Sequence, residues 1–137
     1  MASFSNYSED KVLDNLFRGD AFTVPNLHIG LFTSSAGLET NAPASQTEVP
    51  SVDAGYARVA IPSYTGFTAS TGGQTSNVAA LEFPVATLDW GTITHIGIMD
   101  AEAGGNVILW GSVRNARPIY SGDIIRFAPG AIVVTLD

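Results

Sequence analysis

The sequence predicts a mainly β protein: an antiparallel, jelly-roll-like β-sandwich of about seven or eight strands with one N-terminal α-helix. Three observations carry this. Apolar residues among the first twenty positions recur at helical spacing; from residue 26 onward the period changes to two; and the short Val, Ile, Phe and Tyr runs that follow are separated by Gly, Pro, Asn and Asp. A chain of 137 residues is read as one domain, 1–137, with a helix and arm over 1–20 and the sandwich over 21–137.

The helix comes first. Val12, Leu13, Leu16 and Phe17 share one helical face. Asn6 is placed to cap the first turn, Glu9 completes a capping box, Gly19 supplies a left-handed stop, and Arg18 suits the negative pole of the dipole. A helix of about three turns is marginal alone, so its stripe is expected to dock on its own sheet or on a neighbouring subunit.

The expected strands are Leu27–Phe32, Tyr56–Ile61, Val78–Phe83, Ile93–Met99, Val107–Val113, Ile124–Phe127 and Ile132–Leu136. Turn chemistry at Asp100 to Asn106, at Ser121-Gly122-Asp123 and at Pro129-Gly130 predicts three local antiparallel connections in the C-terminal half. Thr33 to Asp53 and Tyr64 to Asn77 lack period and are too apolar for solvated linkers, so they are expected to be ordered by contact.

Composition excludes several function classes. With 45% hydrophobic and 14% charged residues, the chain is neither a disordered tail nor a coiled-coil shaft. A net charge of -7, from one lysine and five arginines against thirteen acids, argues against nucleic acid or an anionic membrane as partner. No run approaches a membrane span, and Met1 to Asp10 lacks the features of a signal peptide. The absence of cysteine removes disulfides, thiolate metal sites and thiol nucleophiles.

No catalytic constellation emerges. His28 and His95 fall in strands without a nearby acid and read as ordinary strand histidines. There is no nucleophile elbow and no phosphate-binding loop. Asp89, Asp100 and Glu102 match no calcium loop and read as turn caps, so no metal or cofactor is expected. Trp90 and Trp110, each followed by glycine, fit a sandwich core better than a carbohydrate-stacking platform, although both readings stand. Arg114, Arg117 and Arg126 concentrate positive charge in the last third of the chain. Arginine is enriched and lysine depleted in interfaces, which adds Arg114 and Arg117 to Val12, Leu13, Leu16 and Phe17 as candidate partner-contacting residues.

The order of segments adds a resemblance. A helix ending in Phe17-Arg18-Gly19 is followed by "LHIGLFT", "GYARVAI", Phe83-Pro84 leading to Trp90-Gly91, "ITHIGIMDAEAGGNVILWGSV", Ser121-Gly122-Asp123 and "FAPGAIVVTLD". Over nearly its whole length this resembles a family of small tailed-bacteriophage virion proteins, tail-fibre-like, some of which are similar to capsid cement or decoration proteins. The resemblance implies a non-enzymatic virion component that forms homo-oligomers. The function expected from it is a capsid-decorating cement protein, trimeric, bridging major capsid protein subunits through the helix and the long loops. A compact domain without a shaft clamps a shell more readily than it extends a receptor-binding tip, and linked subunits multiply weak contacts. The alternative is a tail-associated fibre or adhesin whose loops, with Trp90 or Trp110, contact a host-surface glycan. A depolymerase is disfavoured because no acid pair is evident on which to place the reaction.

Overall fold

In the computed structural model, residues 2–50 and 53–136 are described; Ser51 and Val52 of the first long loop, Met1 and Asp137 lie outside them. The elements in chain order are β1 (Ser3–Phe4), α1 (Asn6–Arg18), β2 (Leu27–Phe32), β3 (Val59–Ile61), β4 (Gln74–Ser76), β5 (Leu81–Glu82), β6 (Gly91–Met99), β7 (Val107–Ile119), β8 (Arg126–Phe127) and β9 (Val133–Thr135), with a single 3-10 turn at Pro43–Ser45. The protein is mainly β with one N-terminal helix, and its strand pairs are antiparallel.

One five-stranded sheet, in the order β1-β7-β6-β2-β3, carries the architecture. Two ribbons, β4-β9 and β5-β8, accompany it, and among the described residues they take the place of a second continuous sheet. This corrects the local pairing expected of the C-terminal half. Only the Asp100 to Asn106 turn closes a hairpin, β6-β7; the turns at Ser121-Gly122-Asp123 and Pro129-Gly130 lead into β8 and β9, which pair back to β5 and β4. The expected Tyr56–Ile61 strand shortens to its last three residues, and β7 runs six residues beyond Val113.

The sheet is covered on both sides where β2 crosses it. Leu31 and Phe32 are adjacent and point to opposite faces, yet both are fully buried. Ile29, Leu31, Ile96, Ile98 and Leu109 belong to the larger core, with Tyr56, Phe83, Trp90, Ile125 and Val134. Phe32, Met99 and Val107 form a smaller one with Leu38 of the first long loop, with Trp110 against it. The described part of that loop is therefore ordered by contact with its own sheet. So is part of the second, through buried Asn77, whose side chain bonds the Ala79 and Ala128 carbonyls and the Ile132 amide.

α1 docks by an unexpected face. Its N-cap is Ser5, not Asn6: the Ser5 hydroxyl accepts from the Ser8 amide at 3.3 Å, so the Asn6 and Glu9 capping box is not the device used. Ser5 and Ser8 are both fully buried, and their hydroxyls donate to the Val107 and Ile108 carbonyls of β7. Small side chains let the helix lie close to the strand, and each hydroxyl finds an acceptor there. The C-terminus ends as expected, on Gly19 in the left-handed conformation.

Candidate functional site

The sequence-predicted contact residues divide between two surfaces. On α1, Val12 is half-buried, whereas Leu13, Leu16 and Phe17 are 53%, 69% and 81% exposed. The apolar stripe is thus not what holds the helix to its own sheet, because the two serines do that. Burying Leu16 and Phe17 would release about 1.5–3 kcal/mol per side chain, so the stripe is a surface with unused association energy. The helix sits at the turn end of the sheet, where Tyr7 and Lys11 share a shallow depression with Asp100 at the end of β6.

The second surface lies along the other half of β7. The β6-β7 ladder pairs Ile93 with Arg117 and His95 with Ser112, so two steps on β6 correspond to five on β7, and three extra residues bulge from the longer strand. In a regular strand Arg114 and Arg117, three positions apart, would point to opposite faces. The bulge interrupts that alternation. Both now line one depression of about 230 Å³, together with Arg126 at the start of β8 and the Asn115 amide; its apolar lining is Ile93, Val113, Ile119, Ile125 and Phe127. Half of the six cationic side chains of the chain line this groove. Among the described residues, the carboxylates in ion-pair contact belong to other pairs, Arg18 with Asp20 and Arg58 with Glu48. Glu82 stands opposite Arg126 across the β5-β8 ribbon but is not part of the lining. A larger depression of about 640 Å³ shares Val113, Arg114 and Phe127 and continues the groove toward Pro129 and Gly130.

The two tryptophans do not form a common platform. Trp90 is buried, its ring edge-on to Tyr56 at 5.4 Å and its indole N–H donating to the Ala54 carbonyl at 2.8 Å, so no sugar face reaches it. Trp110 is half-buried and tilted against His95 at 6.2 Å, with no partner for its buried indole nitrogen among the described residues.

The titratable groups serve the fold. His28 pairs with Met99 and His95 with Phe32, which separates the two histidines by about 13 Å along the sheet. His95 bonds Thr94 at 2.8 Å, and burial lowers its pKa below the ordinary value. Asp89 precedes β6 and Asp100 follows it, so roughly 30 Å of strand keeps them apart. The Asp89 carboxylate accepts from the Ser121 amide and that of Asp100 from the Asn106 amide. Among the described residues no cluster has the makings of a metal site, and no helix is long and apolar enough to cross a membrane.

One polar network escaped the sequence reading. Glu48 accepts a bidentate pair from Arg58 at 2.7 and 2.7 Å and a hydrogen bond from the Tyr56 hydroxyl at 2.6 Å. Arg58 also donates to the Ala101 and Gly104 carbonyls, and the Leu31 amide donates to the Tyr56 oxygen. Burial, reinforced by the Glu48 charge, pushes the Tyr56 hydroxyl pKa far up. Burial works against the Arg58 charge, but the bonds and charge of Glu48 outweigh it and hold the guanidinium pKa above its usual value. This network ties the first long loop, the start of β3, the β6-β7 turn and β2 together. Glu48 and Arg58 lie ten positions apart across an aperiodic stretch, where no sequence spacing signals a pair.

The family described as Podophage GP4 fiber I protein gp80 matches residues 3–135, all but the ends of the chain. No curated protein matches the sequence.

Proposed function

The chain belongs to the podophage GP4 fiber I protein gp80 family, and from that premise we propose that it is a non-catalytic structural component of a phage tail fibre. The observation that carries this is the match across residues 3–135, to a family described as fibre protein. It supports the tail-associated alternative over the capsid-cement role expected from the sequence. The virion setting is common to both.

Within the fibre, the exposed Leu13, Leu16 and Phe17 are the contact to another copy of this chain. What supports this is contiguous apolar surface left uncovered while the same helix is fixed by its serines. A non-enzymatic role agrees with the use of Asp89, Asp100 and Glu48 as turn and loop ties.

Antibodies raised against the purified chain, bound to intact particles and imaged by cryo-electron microscopy, test the placement. Label on the tail is expected. Label confined to the head would overturn the fibre reading and return the protein to the capsid surface. Incubation with host polysaccharide should release no new reducing ends; their appearance would make the protein an enzyme.

A further inference from the structure

We propose that the arginine-lined groove beside the β7 bulge binds the carboxylate of an acidic sugar residue in a host-surface polysaccharide. Only the source of that ligand rests on the fibre reading; the groove chemistry stands by itself.

Three features select this ligand class. First, Arg114, Arg117 and Arg126 all line one depression, and none of the three is in ion-pair contact with a carboxylate of the described residues. Guanidinium groups match carboxylate geometry with two parallel hydrogen bonds. Second, the apolar part of the lining, with the Phe127 ring among it, offers a surface for the C–H face of a sugar ring, while Asn115 adds an amide for a hydroxyl. Third, the scale and the charge are right. About 230 Å³ is smaller than a drug-sized pocket and suits a single ring. The adjoining 640 Å³ depression, reached past Arg114 and Phe127, gives room for the next residues of an oligosaccharide. The net charge of -7 disfavours a densely charged polyanion such as nucleic acid and favours a glycan whose carboxylates are spaced apart, so that one of them at a time meets the three arginines of the groove.

The bulge is the structural argument that the arrangement is not incidental. Three extra residues in β7 forgo ladder pairing, and Arg114 and Arg117, within and at the end of that stretch, line the same groove.

Titration of the full chain with tetragalacturonate and 3'-sialyllactose, each against its methyl ester, tests the proposal by calorimetry or NMR. Saturable binding of at least one acid is expected, weaker by about tenfold or more for the ester. A loss of similar size is expected in Arg114→Gln and in Arg117→Gln. These side chains are exposed, so unchanged melting curves are expected to accompany the loss; Arg126→Gln provides the same readout from a different strand should either β7 variant misfold. Equal binding of acid and ester, equal binding of a single-stranded oligothymidylate, or no binding of either acid would overturn the inference. Tail label with no binding would sink the groove alone; binding with head label would sink the fibre reading and leave the groove.

Discussion

Arg58 is the residue on which most of the loop structure converges. Its side chain is 3% exposed and bonds Glu48 twice and two turn carbonyls. Removing one partner of a buried pair leaves the other charge uncompensated, which typically costs about 3–5 kcal/mol. Arg58→Ala is therefore expected to lower the unfolding free energy by about 3 kcal/mol or more in urea titration, and a loss below about 1 kcal/mol would show that water replaces the guanidinium. The tryptophans give a paired contrast. Trp90→Phe loses core volume and the bond to Ala54, so about 2 kcal/mol is expected; Trp110→Phe removes a buried donor with no acceptor among the described residues and is expected to cost less than about 1 kcal/mol. His95 contributes a pH dependence of its own. Its folded pKa lies below the unfolded value of 6.5, so the unfolded chain binds the proton first. Its contribution is complete above that value, declines as pH falls through it, and levels off below the folded pKa. Urea midpoints at pH 8 and pH 5.5 should differ less in His95→Gln than in the parent protein.

At the scale of elements, the clearest case is α1. Its stripe was visible in the sequence, but its docking face was not, because serines are ordinarily read as caps or solvated residues. Here Ser5 and Ser8 are the buried side. Ser8→Leu is expected to push the helix off β7, since overpacking a close contact costs about 1–3 kcal/mol and the Ile108 carbonyl loses one of its two donors. Phe17→Ser, on the exposed face, should leave stability within about 0.5 kcal/mol. Thermal melts of the two variants check both; a large loss in Phe17→Ser would mean the stripe is covered within one chain. The same reasoning explains which strands were legible. β2 and β6 announce themselves by apolar runs, and β2 was placed to the residue. β4 was missed because Gln74–Ser76 has no apolar signal and exists only through β9, nearly sixty positions away. Turn chemistry located the chain reversals after β7 and β8 but not the partners that follow, since a Gly-containing turn fixes where the chain bends and distant apolar surfaces decide where it goes. The arginine groove was illegible for a related reason: Arg114 and Arg117 line it beside a bulge that no residue pattern marks.

Across the whole molecule, β7 links the two outward-facing surfaces. The serines of α1 grip its first residues, and the arginines of its second half lie about 15–20 Å farther along, measured on the paired β6. On the proposed roles, attachment and recognition would be separated along one strand. A subunit held at one end and reading a ligand at the other gains by repetition, because each copy after the first binds at the effective concentration set by its neighbours, and avidity can exceed the single-site affinity by about 10²–10⁴. Phe17→Glu puts a charge into the stripe and is expected to yield a monomer by light scattering, while its affinity for a soluble acidic oligosaccharide stays that of the parent chain. On a surface densely coated with the same sugar, the parent assembly should dissociate at least about a hundredfold more slowly than the variant. Equal dissociation from that surface would separate the stripe from assembly. A fall in affinity for the soluble sugar would show instead that the helix and the groove are not independent.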